Sequence, residues 1–503
     1  MLRKVLIANR GEIAVRVIRT CHDLGIECVA VYSDADRTAL HVRLANEAVR
    51  IGPAPPSESY LKVDAILDAA KRTGADSIHP GYGFLSEKAH FAKAVEDAGL
   101  TFIGPPSSAM RAMGDKLSSR TAMSRAGVPI VPGLTEPVAD VDAARREAEK
   151  VGWPIALKAA GGGGGKGIRV VRAADELASA FRTASGEAAS AFGDSRLYIE
   201  RYLPGPRHVE VQILADRHGN VAALGERECS IQRRHQKLIE ETPSPAVDDD
   251  ARERLADAAV RAAKAVGYAN AGTVEFLWSE GRFYFLEMNC RLQVEHPVTE
   301  MVYGVDLVRE QLRVAAGEPL AIGTRLRPRG HAIEARVNAE DPDQGFLPSI
   351  GTVLNLRLPA GPNLRVDSGL FTGYEVTPHY DSLLAKVVAW GSDRAEAIAR
   401  LERALRELHV GGVKTTAPLA LRVLRDPRFR EGRFDTGFLD GFAPTASAER
   451  ERVVAILAAV HRHLGTSRRA LGAAGGNGAA RPDASRDGLS PWVRAGRLDG
   501  GMG

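Results

Sequence analysis

Cysteine is scarce: four residues in 503 (Cys21, Cys28, Cys229, Cys290), none in a Cys-x-x-Cys pair. That excludes a disulfide scaffold and a cysteine-rich zinc site. An excess of one charge sign is also missing, because 67 Lys+Arg against 63 Asp+Glu leaves +4 with no basic block. Neither nucleic acid nor an anionic membrane is implied as a partner. No apolar run approaches the roughly 18 residues of a membrane span, and the short run that follows Met1-Leu2-Arg3-Lys4 is not a signal peptide. A cytoplasmic protein is expected. What is present is an ordinary globular composition, 44% hydrophobic and 26% charged, enough for a large core and about three domains at roughly 150 residues each.

Residues 1–113 alternate short apolar runs (4–8, 28–32, 77–78, 101–103) with a helical pattern at Ile13, Val17 and Ile18. This predicts a parallel sheet covered by helices, a Rossmann-like α/β domain. The first turn, Asn9-Arg10-Gly11-Glu12, lacks the G-x-G-x-x-G needed for close approach to a dinucleotide pyrophosphate. Residues 114–325 predict strands at 153–158, 168–171, 209–214, 273–277 and 283–288, with helices up to 192 and around 250–266 and 305–316. Residues 330–446 predict strands at 331–337, 352–356 and 383–389 and a helix over 394–408, an α+β body after the α/β start. A helix is expected over 446–464, then a mobile tail rich in Gly, Ala, Arg and Ser.

Five consecutive glycines, Gly161 to Gly165, precede Lys166 and Gly167. Backbone N–H groups free of Cβ atoms can wrap phosphate oxygens. A P-loop would need Gly at 160 and Ser or Thr at 167, where Ala160 and Gly167 stand. Strand-like flanks make the run either a flap that closes over a nucleoside triphosphate or an exposed linker. Lys158, at the end of the entering strand, is either a compact cation for phosphate or a surface lysine.

Thr273-Val-Glu275-Phe-Leu277 and Phe283-Tyr-Phe-Leu-Glu287-Met-Asn289 read as a hairpin that turns near Glu280 and Gly281. Folding it sets Glu275 and Glu287 opposite or diagonal. Two carboxylates among apolar neighbours repel, and one protonates unless a cation lies between them. With Asn289 on the face of Glu287, the hard oxygen donors suit magnesium; the alternative is two solvated acids. In the next segment, alternation places Arg291, Gln293 and Glu295 on one side if the chain stays extended. They form either an anion seat beside a general base or a salt bridge. A charged, loop-like segment, 226–237, carries Gln232, His235 and Lys237. With His208 and Glu210 upstream, it either holds phosphate and a second anion or is solvated.

Taken together, IANRGEIAVRVIR, HPGYGFLSE, GGGGGKGIRVV, RECSIQRRHQK, EFLW…FLEMNCRLQVEHPVTEMVYGVDL and EARVNAED resemble the biotin carboxylase component of biotin-dependent carboxylases, an ATP-grasp ligase, over about 1–445. The resemblance implies a Rossmann-like N-terminal domain, an ATP-grasp domain over 114–325 with a mobile lid at about 130–203, and a C-terminal α+β domain. It implies that Lys116, Lys158, His208, Gln232 and His235 bind ATP, that Gly162, Gly163, Gly164 and Gly165 cover its phosphates, and that Glu200 and Leu203 lie at the adenine edge. Glu275 and Glu287, with Asn289 close by, would ligate magnesium or manganese. Lys237, Arg291, Gln293 and Val294 would seat bicarbonate, Glu295 would take its proton, Arg336 would stabilise the biotin enolate, and Tyr82 and Gly83 would contact biotin.

The implied reaction joins ATP and bicarbonate through carboxyphosphate and carboxylates biotin on a carrier. The first half-reaction of an acyl-CoA or 2-oxo acid carboxylase is meant, the acetyl-CoA enzyme of fatty acid biosynthesis among them. Competing readings are another ATP-grasp ligase of carbamoyl phosphate type and a non-catalytic nucleotide-binding regulatory protein. Cys290 stands where the family often has threonine, which raises an expectation of oxidation sensitivity. After Lys386 the one remaining lysine is Lys414, with no Met-Lys-Met tripeptide. The chain is therefore expected to work with a separate biotin carboxyl carrier protein and a separate carboxyltransferase subunit, and the family resemblance adds a homodimer. The tail around Trp492 is read as a remnant or a docking segment.

Overall fold

The computed structural model of the protein describes residues 2–161, 167–324 and 326–442, and within a separate unit, 444–503, residues 456, 459 and 460 alone. The expected flap glycines Gly162 to Gly165, most of the expected helix over 446–464 and the segment around Trp492 lie outside the described residues.

The first sheet is fully parallel. Its strands run, in spatial order, Glu47–Gly52, Glu27–Ser33, Lys4–Ile7, Ser77–His79 and Thr101–Phe102. Val5, Leu6 and Ile7 are fully buried, as continuous apolar strands covered on both faces must be. The helix Gly11–Asp23 turns Ile13, Ala14, Val17, Ile18 and Cys21 inward at three- and four-residue spacing. The edge strand Glu47–Gly52 is not expected from the sequence, because Val49 and Ile51 alternate with charged and exposed neighbours in a stretch too polar to read as core.

The second sheet is larger. Eight antiparallel strands follow the order Arg282–Asn289, Asn270–Ser279, Arg207–Ala215, Val221–Arg233, Gln236–Thr242, His331–Asn338, Leu383–Gly391 and Leu364–Ser368. The sheet runs without a break across the boundary expected near 325–330, since Gln236–Thr242 pairs with His331–Asn338. The stretch expected as a loop, 226–237, is instead two central strands joined by the two-residue turn Arg234-His235, both at positive φ (47° and 67°). Glu226, Arg227 and Glu228 hide the strand pattern because they are buried and paired with Arg252, Glu210 and Arg207 on other elements. A strand expected at 352–356 is two short ones, Gly351–Thr352 and Asn355–Arg357.

A third sheet, Ile168–Val171, Ile155–Ala159 and Leu197–Arg201, is antiparallel and backed by the helices Val141–Val151 and Leu177–Phe192. The helix Asp249–Ala265 is capped by the Asp248 carboxylate, which accepts from the Ala251 N–H at 2.8 Å. Its buried stripe of Ala and Leu permits close packing on the large sheet.

Helix Arg394–Glu407 is tied to that sheet electrostatically. Arg394 donates to both Glu241 oxygens at 2.7 and 2.9 Å, and His331 Nε2 lies 2.6 Å from one of them. Burial alone would raise the Glu241 carboxyl, but Arg394 and His331 outweigh it and hold the group at about 2, against an ordinary 4.5. Because the unfolded chain binds this proton first, the stability it confers is full above pH 4.5 and is lost as pH falls toward 2. Glu241→Gln is expected to unfold at lower urea at pH 7 and to lose stability less steeply through that acid window. An equally steep acid limb in the variant would disprove the linkage.

Candidate active site

The hairpin Asn270–Ser279 and Arg282–Asn289 places Glu275 directly opposite Glu287. Glu280 and Gly281 form its two-residue turn at positive φ, which sets the register from Ser279 and Arg282 to Phe276 and Phe285, and a one-residue shift between Glu275 and Phe276 then brings Glu275 opposite Glu287. The two acids are pushed apart. Glu275 resists burial through Lys237 and His208 and stays well below the ordinary carboxylate range, while Glu287 is raised by burial and by Glu275 itself. A carboxylate pair in which one member's charge raises the other's proton affinity invites a divalent cation. Asn289 is buried beside them, and its Oδ1 accepts from Arg291 Nη2 at 3.2 Å. The oxygen donors Glu275, Glu287 and Asn289 are of the chemical kind that magnesium takes, and the hairpin gathers them at neighbouring register positions.

Two other acid groupings lie nearby, His208 with Glu210 and Glu275, and Glu210 with Cys229 and Glu295. A cation already sits among them. Lys237 Nζ lies 2.6 Å from Glu210, 3.1 Å from Glu275 and 2.7 Å from Glu295. Burial lowers the proton affinity of Lys237, but the surrounding acids more than reverse that, so it stays an ammonium.

Glu295 has no exposure and is gripped from two sides, by Lys237 on one oxygen and by Arg336 Nη2 at 2.8 Å on the other. Burial opposes its charge, and Lys237, Arg336 and Arg227 outweigh burial, so it remains ionised. The chain reaches it by a turn rather than by the extended run expected for 291–295. Pro297 opens the helix His296–Tyr303 at its first turn, and Glu295 stands just before that helix with its side chain free of any capping bond to it. Arg291 thus faces Glu87 at 3.1 Å and Gln293 Oε1 at 2.8 Å, while Leu292 turns into the core. Gln293 in turn donates to Glu275 at 3.3 Å.

On the other side of the hairpin, Lys158 and Arg120 both bind the buried carboxylate of Glu200, across the neighbouring strands Ile155–Ala159 and Leu197–Arg201. Leu203 is half-buried in the link that follows. Lys116 begins the helix Lys116–Arg125, and burial lowers its proton affinity despite Glu287. His208 Nε2 lies 3.0 Å from Glu275. Gln232 pairs in register with Lys237, and His235 sits exposed in the turn, where burial, then His208 and Lys116, lower its proton affinity.

A cavity of about 300 Å³ adjoins Lys237, Arg291, Val294 and Arg336, and is walled by Asn9, Glu12, Tyr82 and Gly83. Asn9 Nδ2 clamps the loop by donating to the Pro80 and Tyr82 carbonyls, both at 2.7 Å. Gly81 lies at φ +62°, and a Cβ there would meet Asn9 Nδ2 at 2.8 Å, so this approach requires glycine. The Tyr82 hydroxyl donates to Glu12. Sequence reasoning gives no site role to Glu12, Glu87, Arg120, Glu240 or Lys386, all of which the fold brings here. Lys386 carries a signal, a lone cation inside the apolar run 383–389. Cys290 is buried with its thiol pushed up to about 12 by burial and by Glu87, which removes the basis for the expected oxidation sensitivity.

Three family descriptions cover the chain in sequence: biotin carboxylase N-terminal domain (residues 1–110), carbamoyl-phosphate synthase L chain ATP binding domain (115–322) and biotin carboxylase C-terminal domain (334–441). Biotin carboxylase 1 of Bacillus subtilis is 53% identical over 445 residues, 88% of this chain and 99% of that one. The chain belongs to the biotin carboxylase family. A pyruvate carboxylase subunit from Methanothermobacter thermautotrophicus is 52% identical over 455 residues, covering 90% of this biotin carboxylase and 93% of its relative. The crystal structure of a biotin carboxylase–βγ-ATP complex from Campylobacter jejuni superposes with a TM-score of 0.85 at 46% identity, over 88% of this chain and 99% of that one. The biotin carboxylase domain dimer of Hydrogenobacter thermophilus 2-oxoglutarate carboxylase, in complex with MgADP, ADP and bicarbonate, gives 0.83 at 49% identity, over 88% and 97%. The activity of a biotin carboxylase is ATP-dependent carboxylation of biotin, the first half-reaction of biotin-dependent carboxylases. No described helix is long and apolar enough to cross a membrane.

Proposed function

We propose that Glu295 is the base that deprotonates bicarbonate for attack on the γ-phosphate of ATP, and that Arg336 steadies the negative charge on the biotin ureido oxygen. The observation that carries this reading is the grip on Glu295: a fully buried carboxylate held ionised between Lys237 and Arg336, both of which line a cavity of about 300 Å³. Lys237, Arg291, Gln293 and the Val294 backbone seat bicarbonate. Lys116, Lys158, His208, Gln232 and His235 bind the nucleotide, whose phosphates the Gly162–165 segment covers, with Glu200 and Leu203 toward adenine. Magnesium held by Glu275 and Glu287 beside Asn289 supplies charge neutralisation for phosphoryl transfer when bound. Tyr82 and Gly83 form the biotin wall.

Bicarbonate gives its proton to Glu295 as its oxygen attacks the γ-phosphate, forming ADP and carboxyphosphate. Carboxyphosphate then breaks into carbon dioxide and phosphate, and phosphate takes the N1 proton of biotin. Exclusion of water by the 130–203 lid protects the hydrolysable intermediate. The chain acts as a homodimer on a biotin carboxyl carrier protein, with a separate carboxyltransferase selecting the acyl acceptor. Relatives named for pyruvate, 2-oxoglutarate and methylcrotonoyl-CoA support reuse of this component across acceptors.

The test is ADP release by the purified chain with magnesium and ATP, as bicarbonate and then free biotin are added. Bicarbonate-dependent turnover that biotin stimulates, and that Arg336→Ala no longer couples to biotin, is the expected result. Turnover indifferent to biotin would return the protein to another kind of ATP-grasp ligase.

A further inference from the structure

Lys386 stands mid-strand in Leu383–Gly391 with no exposure. A buried ammonium persists only against strong partners. Its Nζ donates to the Val294 carbonyl at 2.8 Å and lies 3.1 Å from Glu12 Oε1 and 3.7 Å from Asp367. In register it sits opposite Arg336 on one neighbouring strand and Asp367 on the other. Cross-strand partners project from the same face. Two cations from adjacent strands therefore reach for one turn: Arg336 takes the Glu295 carboxylate and Lys386 the carbonyl of the residue before it. Glu12, the other end of the Lys386 contact, accepts from Tyr82 in the cavity wall, and its Oε2 has no hydrogen-bond partner among the described residues. Burial disfavours the charge on Lys386, and Glu12, Glu334 and Asp367 more than restore it.

We propose that Lys386 is a positioning residue that fixes the Val294–Glu295 peptide, and with it the base, and ties that peptide through Glu12 to the Tyr82 wall where biotin binds. The proposal rests on the reading of Glu295 as base. Lys386 touches neither substrate. Its loss frees the backbone end of the turn while Lys237 and Arg336 keep the carboxylate, so the bicarbonate seat loosens. The nucleotide residues Lys116, Lys158 and Glu200 lie on other elements, which leaves ATP affinity unaffected.

Full-length parent, Lys386→Met and Lys386→Arg are compared by steady-state ADP release with magnesium, varying bicarbonate and ATP in turn. Expected for Lys386→Met are a KM for bicarbonate raised about tenfold, a lower kcat and a KM for ATP within about twofold of the parent, with part of the bicarbonate effect restored by Lys386→Arg; misplacement of a catalytic group by about 1 Å is enough for effects of this size. A lysine that merely stabilises the fold would lower the active fraction and leave both KM values alone. A parent without bicarbonate-dependent turnover would overturn the functional reading on which the proposal rests. A bicarbonate-dependent parent with an unchanged bicarbonate KM in Lys386→Met overturns the positioning role alone. Should Lys386→Met not fold, Lys386→Met combined with Glu12→Gln, which removes one charge of each sign, is read by the same criteria; failure of that pair to fold also overturns the proposal.

Discussion

Glu295→Gln is expected to cut bicarbonate-dependent ADP release by about 10²–10⁴-fold, the usual contribution of a positioned general base. Glutamine keeps the shape of the side chain and its one oxygen can still accept from either Lys237 or Arg336, but its amide nitrogen cannot accept from the other and it cannot take a proton. The cations it leaves are not stranded. Lys237 retains Glu210 and Glu275, and Arg336 retains Glu240 at 2.5 Å. The variant should therefore fold with a urea midpoint close to the parent and bind ATP normally, since no nucleotide residue touches position 295. Because the carboxylate is held well below its ordinary range, activity in the parent should not fall on this group's account anywhere near neutral pH. A folded variant that turns over within about tenfold of the parent would show that another group accepts the proton.

Arg227→Met should be the most destabilising single change near the site, with a loss of about 3–5 kcal/mol in urea unfolding. The guanidinium has no exposure and donates to Glu210 at 2.5 Å, Gln212 at 2.7 Å, and Thr299 and Thr273 both at 3.0 Å. Truncation takes a donor from four buried acceptors, one of them an oxygen of the Glu210 carboxylate, which then keeps only Lys237 as a cationic partner. Pairing the change with Glu210→Gln removes the carboxylate charge that has lost one of its two cations and should recover part of the loss, which separates the charge effect from the lost packing. Loss below about 1 kcal/mol in the single variant would mean that the network relaxes around a missing cation, contrary to what buried ion pairs do.

Legibility of the site follows chain distance. The Glu275 and Glu287 pair can be read to within one position because a two-residue turn sets the register of one hairpin, which alone leaves the two acids diagonal; the one-residue shift between Glu275 and Phe276 that sets them opposite has no signal in the sequence. The strands Val221–Arg233 and Gln236–Thr242 cannot be read, since their interior faces are charged and find their partners on other elements: Arg227 meets Glu210, and Glu241 meets Arg394. A polarity pattern carries no record of such partners. The turn that delivers Glu295 is signalled by Pro297, which suits the first turn of a helix, yet the alternation of Arg291, Gln293 and Glu295 suggests an extended run. The parallel sheet is legible in its buried strands, and its edge strand Glu47–Gly52 is not, because an edge needs only half the apolar residues of a centre. Glu12 and Lys386, far apart in the chain, meet only in the folded molecule.

The seam between Gln236–Thr242 and His331–Asn338 has a bearing on how the enzyme comes into being. Lys237 arrives from one side of it and Arg336 from the other, and both close on Glu295. A chain interrupted between them would present two raw hydrogen-bonding edges, an invitation to aggregate, and neither fragment would own a complete grip on the base. On the proposed reading, a chain still short of His331–Asn338 holds the Glu295 carboxylate through Lys237 without Arg336, so the full grip on the base waits for the C-terminal part of the sheet.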